Sequence, residues 1–205
     1  ALTGQAQSSD LGNWYIYFGN KKLNDKWNIH HEVQYRNYNM IGDLDQLLLR
    51  AGLGYNLTEN NNNFLLGYGY ILSSNYDLLG EKTNVEEHRI YQQFITKQSF
   101  SRFSIAHRYR LEERFVSQNF KFRFRYFLAV KMALTKPKLE DKTLYLSGYN
   151  EIFLNGKSAI FDRNRLYGGL GFKVNSNLSF EAGYMNQFFD NAQRDQLNLI
   201  VSFKF

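Results

Sequence analysis

Charged side chains recur at every second position in several stretches of this sequence, and they are the residues best placed to do chemistry. The stretch 108–114 carries Arg, Arg, Glu and Arg at alternate positions, and Arg123 and Arg125 repeat the spacing a few residues later. On a β-strand such residues share one face and lie about 7 Å apart. Guanidiniums and carboxylates gathered in this way can pair with each other, attract oxyanions, or fill the interior of a barrel.

The alternation assigns a charge network to one side of the predicted sheet. Its members are Glu32, Arg36, Arg50, Arg89, Arg108, Arg110, Glu112, Arg114, Arg123, Arg125, Glu151, Arg163, Arg165 and Glu181. Glu87 joins Arg89 if the odd-numbered residues of 86–96 face inward, and the sequence leaves that choice open. Arginine suits an interior network because its planar fork engages two carboxylates and stays charged.

Catalytic and metal sites receive little support. His107 and Glu113 share a face, but six residues along a strand span about 20 Å, too far for a compact triad. His30 and His31 are adjacent, so a strand directs them to opposite faces and they cannot share an ion. The sequence lacks a Gly-x-Ser-x-Gly elbow. We therefore predict no catalytic residue, metal or cofactor, and rank a lipid hydrolase using His107 as the least favoured alternative.

The elements that must position the charges are all predicted to be strands, because apolar residues recur at every second position almost throughout the sequence. The clearest is 120–132, where Phe, Tyr, Leu, Val and Met alternate with Lys, Arg, Phe and Ala. Eleven such runs are predicted, at 11–21, 26–38, 44–57, 63–73, 85–97, 101–116, 119–133, 143–153, 161–174, 178–189 and 195–205. Turn-forming residues separate them, and no useful helical window remains. The fold class is all-β.

Strand length distinguishes a membrane barrel from a soluble sandwich. Most of the runs have 10–16 residues, whereas soluble strands have about 5–6 and about 9–11 tilted residues cross a bilayer. Aromatic residues stand near the ends of the runs, as an interfacial girdle requires. These are Trp14, Trp27, Tyr35, Tyr55, Phe64, Tyr70, Phe103, Phe172, Phe180 and Phe188. We predict a single transmembrane antiparallel up-and-down barrel of 10–12 strands, with lipid outside and a polar, charged lumen.

Composition agrees with that prediction and excludes other classes. The 205 residues include 17% aromatics, which excludes a disordered chain. The mean hydropathy is -0.50, and no apolar run approaches the about 18 residues of a helical span. The net charge of +6 does not indicate nucleic-acid binding, because the basic residues alternate with apolar ones instead of forming a patch. There is no cysteine to form a disulfide.

The strand count raises a conflict, because bacterial single-chain barrels have even numbers of strands. Either the N-terminal residues supply another strand, or a run has been split or merged. Residues 1–9 are interpreted as the remnant of a secretory signal or a flexible tail, and 10–205 as the barrel. Short turns are expected at the periplasmic end, and longer connections at 74–84, 154–160 and 190–194 at the outer end.

Several phrases, taken in order, resemble one family. They are LGNWY at 11–15, WNIHHEVQYR at 27–36, DQLLLRAGLGY at 45–55, HRYRLEERF at 107–115 and RNRLYGGLG at 163–171. The sequence resembles the domain-of-unknown-function 2490 family of small Gram-negative outer-membrane barrels over residues 10–205. The terminal Phe205 is similar to the signal read by the barrel-insertion machinery. The resemblance implies an integral protein of the bacterial outer membrane; it implies no reaction, ligand or catalytic residue.

The favoured function is a non-enzymatic structural or accessory component of an envelope assembly, its lumen plugged by Arg and Glu. A narrow anion-preferring pore is the alternative, since inward Arg outnumber inward Glu. Expected partners are outer-membrane lipid and other outer-membrane proteins of a complex, and no nucleic acid. The connection 73–84 either folds over the barrel mouth or contacts a partner through Tyr76, Leu78 and Leu79, which are unusually apolar for a solvated loop.

Overall fold

The computed structural model describes residues 11–58, 61–157 and 159–205, and these form eleven β-strands closed into one barrel. The strands are β1 (Gly12–Lys22), β2 (Trp27–Asn37), β3 (Leu44–Asn56), β4 (Asn62–Tyr76), β5 (Lys82–Phe100), β6 (Phe103–Val116), β7 (Asn119–Ala133), β8 (Thr143–Asn155), β9 (Phe161–Lys173), β10 (Leu178–Phe188) and β11 (Gln193–Lys204). The described residues include no helix that could span a bilayer. The all-β class and the eleven predicted runs are confirmed. Residues 1–9, taken above as a signal remnant or tail, lie outside the described residues.

The barrel closes through one parallel pair. Each strand from β1 to β11 is antiparallel to the next, whereas β1 and β11 run in the same direction and pair from Gly12↔Gln196 to Asn20↔Lys204. A ring of purely antiparallel neighbours needs an even number of strands, so an odd ring must contain one parallel pair. The expectation of antiparallel pairing throughout is therefore wrong at this seam, and the eleven strands need neither a further strand nor a merged one.

A designed disulfide tests the seam. Tyr15 and Leu199 are register partners on the outer face, and the chain has no native cysteine. The double variant Tyr15→Cys/Leu199→Cys is expected to cross-link the first and last strands nearly completely under mild oxidation. The measurement is the shift in gel mobility on reduction. In the control pair Tyr15→Cys/Ile200→Cys the two thiols point to opposite faces, and equal cross-linking there would contradict the register.

The two faces of the wall differ sharply. On β7, Phe122 and Phe124 are 42% and 41% exposed on the outside, while Arg123 and Arg125 are each 4% exposed inside. The alternation assigned these faces correctly. Trp14 is the exception among the aromatic residues expected near the strand ends on the outer face, because it points inward and is 3% exposed. It packs there against Ile16, Tyr167 and Met185.

The connections at the two ends do not differ in length as expected. β4 extends to Tyr76 and β5 begins at Lys82, so the predicted long connection 73–84 shrinks to 77–81. Asp77 closes this turn by accepting hydrogen bonds from the backbone of Leu79 and Glu81. Leu78 and Leu79 are almost wholly exposed, so they do not fold over the barrel mouth. The longest connection, 134–142, lies at the other end, which also carries the C-terminus and is called the C-terminal end below.

Candidate functional site

The lumen holds the predicted charge network. Its members with less than a tenth of their surface exposed are Glu32, Arg36, Arg50, Arg89, Arg110, Glu112, Arg123, Arg125, Glu151, Arg165 and Glu181. The side chains of Arg108, Arg114 and Arg163 are 19%, 17% and 27% exposed. The odd-numbered face of β5 points inward, which places Glu87 beside Arg89. The structure thus brings these side chains together in one interior.

Glu112 is the centre of the network and is wholly buried. Arg125 Nη1 donates to its Oε1 at 2.6 Å, and Arg123 donates to its Oε2 from Nε at 3.0 Å and Nη2 at 2.6 Å. Arg110 and Arg89 lie at 3.6 and 3.8 Å. Four guanidiniums from three strands therefore surround one carboxylate, which ties the neighbouring strands β5, β6 and β7 together on the inner face.

Glu151 forms a second centre, on β8. It accepts hydrogen bonds from Arg108 at 2.6 Å and from Arg125 at 2.6 and 3.0 Å, and Arg165 lies at 3.7 Å. Arg125 consequently bridges the two buried carboxylates, Glu112 and Glu151. Both arms of this bridge are charge-assisted hydrogen bonds, which are about twice as strong as neutral ones.

Smaller pairs fill the rest of the lumen. Glu87 accepts hydrogen bonds from Arg114 at 2.6 and 2.9 Å and pairs with Arg89. Glu32 pairs with Arg50 at 2.7 Å. Near the C-terminal end, Glu181 pairs with Lys131 at 2.8 Å.

Sequence reasoning missed several members of the network. Asp162 contacts both Arg123 and Arg163 at 3.2 Å, and Lys131 pairs with Glu181. Three neutral residues, Gln34, Gln93 and Gln187, accept hydrogen bonds from Arg36, Arg110 and Arg165. Asp162 lies where the pairing of β8 with β9 shifts register, so strict alternation would not place it beside the inward Arg163. For Lys131 and the three glutamines, inward parity was the available signal. A search restricted to arginine and glutamate passes over them.

Aromatic rings separate the guanidiniums. The Phe153 ring lies 4.4 Å from the Arg125 guanidinium carbon and 4.6 Å from that of Arg165. Trp14 lies 3.7 Å from Arg36 and 4.9 Å from Arg165. Cation–π contacts of this kind stabilise a desolvated cation by about 2 kcal/mol. They partly offset the repulsion among the excess arginines.

Glycines make room for inward tyrosines. A methyl group added at Gly67 would overlap the ring of Tyr91, and one at Gly171 would overlap Tyr145. Both tyrosines are buried, and Arg110 lies over Tyr91 at 4.6 Å. The glycines on the inner face therefore let large side chains lie across the lumen.

We expect Gly67→Ala to lower the free energy of unfolding by about 1–3 kcal/mol, since the displaced Tyr91 has no space to move into. The measurement is the unfolding midpoint in urea, in a detergent that keeps the barrel folded. Gly168→Ala is the matched control, because no atom lies within 4 Å of its added methyl group. An equal loss in both variants would refute the packing explanation.

The end opposite the C-terminus carries a rim formed by two neighbouring hairpins. Tyr76 Oη donates to Asp43 at 2.9 Å, Lys82 pairs with the same carboxylate, and the rings of Tyr38 and Tyr76 lie 5.3 Å apart. Burial, aided by the Asp45 carboxylate, raises the pKa of Tyr38 to about 12, so this phenol stays protonated at neutral pH. These contacts hold the connections 38–43 and 77–81 side by side.

The outward histidines contact tyrosines. His107 Nδ1 lies 2.9 Å from Tyr126 Oη, and His88 Nδ1 lies 2.5 Å from Tyr68 Oη. Within the described parts of the chain, no three His, Cys, Asp or Glu side chains gather as metal ligands would.

The chain is similar in sequence to one protein family and to one protein of known origin. The family described as "Protein of unknown function (DUF2490)" matches residues 11–198. An uncharacterized protein of Methylorubrum extorquens is 32% identical over 164 residues, which cover 76% of this chain and 69% of that protein. No solved structure matches significantly.

Proposed function

The chain belongs to the DUF2490 family of proteins of unknown function, and on that premise we propose that it is an integral barrel of the bacterial outer membrane with a plugged lumen. In this proposal it is not an enzyme. It serves as a structural or accessory component of an envelope assembly, with lipid around its wall. The observation that carries the proposal is that this barrel reverses the pattern of a soluble protein: charged side chains fill its interior, and apolar side chains cover its outside.

The outer wall supports a membrane location. Exposed aromatic residues lie toward both ends of the wall. Trp27, Phe64, Phe103, Phe172 and Phe180 lie toward the C-terminal end, and Tyr35, Phe115, Phe120 and Phe188 lie toward the other. Toward the other end, polar residues pair across strands: Asn150 donates to Asn164 at 2.7 Å, and Gln92 donates to Glu113 at 3.4 Å. An apolar wall with aromatic residues near both of its edges fits a bilayer between two aqueous phases.

Membrane fractionation tests the proposed location. The full chain, expressed with an export signal in a Gram-negative host, is expected in the outer-membrane fraction. It should resist extraction by carbonate and should need detergent for solubilisation. Recovery of folded protein in a detergent-free soluble fraction would overturn the proposal.

The rim supports the accessory role. Four apolar residues are exposed at the tips of two neighbouring hairpins: Leu78 and Leu79 in one connection, and Met40 and Ile41 in the other. The bond between Tyr76 and Asp43 holds the two hairpins together. We propose that this four-residue patch contacts another outer-membrane protein. Tyr76, which the sequence grouped with the two leucines, serves instead to hold the rim, through its bond to Asp43.

We expect Leu78→Ser/Leu79→Ser to release a stoichiometric partner that co-purifies with the wild-type barrel in mild detergent, without lowering barrel stability. Removing exposed apolar contact area weakens an interface but not the ladder beneath it. The measurement is the mass of the purified complex. Leu57→Ser, at the C-terminal end, is the control and should keep the partner. Retention of the partner by the double variant would contradict the assignment.

A narrow anion-preferring pore is the second candidate. The observation in its favour is the charge excess in the lumen: Arg36, for example, is buried without a carboxylate within 4 Å among the described residues. A pore would give conductance steps whose anion preference falls in Arg110→Glu. A plugged barrel gives no steps, and the same substitution lowers its stability.

A further inference from the structure

A cavity of about 190 Å³ lies in the lumen beside the ion-pair network. It is several times larger than one water molecule requires. Its charged lining consists of the cations Arg36, Arg50, Arg108, Arg125, Lys131 and Arg165 and the carboxylates Glu32, Glu151 and Glu181. The cations exceed the carboxylates by three, so the cavity has a positive interior.

Arg36 is the least compensated of these cations. Its guanidinium bonds to the neutral side chains of Gln34 and Gln46, at 3.0 and 2.7 Å, and lies against Trp14. Among the described residues it has no ion pair, and the guanidinium of Arg165 lies near the same Trp14 ring. A cation buried in this way is costly unless another charge compensates it.

A second lining residue has spare donor capacity. Arg108 gives Nη2 to Glu151, but its Nε is buried with no hydrogen-bond partner among the described atoms. Arg165 shares the Glu151 carboxylate with two other guanidiniums, and its Nε donates a hydrogen bond to the neutral side chain of Gln187. Donors and positive charge in this cavity therefore exceed what the protein's own carboxylates can satisfy.

We propose that the cavity is a binding site for a small oxyanion, with inorganic phosphate as the simplest ligand of that class. Arg36 and Arg165 supply the charge, and Arg108 offers a free N–H. A phosphate ion has acceptor oxygens for several guanidiniums at once and is small enough to share the cavity with water. The site rests on the proposed closed lumen, and it makes the barrel a receptor for the anion and not a conduit.

The C-terminal end provides an electrostatic route to the cavity. Lys131 lines the cavity, and Lys97 and Lys204 lie at the same end of the barrel, near the last residues of β5 and β11. Lysines gathered at a mouth raise the local concentration of anions. A free solute would therefore reach Arg36 from this end.

Calorimetric titration of inorganic phosphate into the intact barrel, in a phosphate-free detergent at low salt, tests the proposal. We expect saturable 1:1 binding. Arg36→Gln should weaken it by about tenfold or more, the loss typical of one charge-assisted hydrogen bond. Arg36 has no carboxylate partner, so this variant should still fold, and Arg165→Gln is a second variant with the same expected loss.

Arg102→Gln is the matched control, because Arg102 lies at the C-terminal end, binds backbone carbonyls of 133 and 134, and does not line the cavity. Its binding should equal that of the wild type. Absence of binding in the wild type, or equal binding in all variants, would overturn the proposal. If the barrel conducts ions, the closed lumen fails instead, so the two failures are distinguishable.

A lipid headgroup carries the same phosphate chemistry, and a further titration distinguishes the source. Dihexanoyl-phosphatidylglycerol below its critical micelle concentration should not bind at this site, since its acyl chains cannot follow the phosphate into the lumen. Binding tighter than that of inorganic phosphate, and lost in Arg36→Gln, would reject the free solute in favour of a lipid.

Discussion

Glu112→Gln is expected to lower the free energy of unfolding by about 3–5 kcal/mol, the cost typical of removing one partner from a buried ion pair. Glu112 is wholly buried and is the shared partner of Arg123 and Arg125, with Arg89 and Arg110 close by. Glutamine keeps the size but removes the charge. Four guanidiniums are then left around a neutral amide in a lumen that already has too few carboxylates.

The measurement is the urea midpoint of the folded barrel, followed by its heat-modifiable mobility on a gel. Glu113→Gln is the matched control: it is the next residue on β6, faces outward and only shares a long bond with Gln92. It should change stability by no more than about 0.5 kcal/mol. The double variant Glu112→Gln/Arg123→Gln also removes one of the cations left without a carboxylate, so it should regain part of the lost unfolding free energy. Equal effects of the two single substitutions would refute the central role of Glu112.

Glu112→Ala/Arg125→Ala is expected to open the lumen to ions. Arg125 Nη1 on β7 donates a hydrogen bond to Glu112 Oε1 on β6 at 2.6 Å, and Arg125 Nη2 donates a second one to Glu151. Truncating both leaves the summed charge unchanged but removes the bridge beside the existing cavity, which Arg125 lines. Water can then occupy the vacated polar space and connect it to the mouth.

Planar-bilayer recording measures this effect, with resolved steps expected from the alanine variant only. Glu112→Gln/Arg125→Gln is the control, since it changes the charges in the same way and keeps more of the side-chain volume. It should stay closed. A conducting glutamine variant would show that charge, and not volume, seals the barrel, and a closed alanine variant would show that the seal lies elsewhere.

Strand positions and faces could be read from the sequence because each strand alternates strictly between lipid-type and charged residues. Phe122, Arg123, Phe124 and Arg125 show this most clearly. The inward parity of Arg110 and Glu112 followed from the same pattern, although their partners did not. Pairing depends on the register between strands that are distant in the chain, such as Arg108 with Glu151.

The sequence could not resolve features that depend on how the ring closes. The parallel pairing of Tyr15 with Leu199 is a property of the whole ring. Trp14 was expected among the interfacial aromatics because residues 14–18 are apolar on both faces, so alternation could not assign the inner face. In the structure it lies inside, next to the guanidiniums of Arg36 and Arg165. The connection around Leu78 looked long because Ser73–Tyr76 is polar, whereas in the structure it continues the ladder.

The plugged lumen is tested most directly by recording the unmodified barrel in a planar bilayer. The interior is filled by Arg110, Glu112, Arg125 and Glu151. The inserted barrel should therefore stay folded in the bilayer and show no resolved conductance steps across a range of voltages and salt concentrations. Reproducible steps, with an anion preference that falls in Arg110→Glu, would contradict the plug and establish the narrow pore.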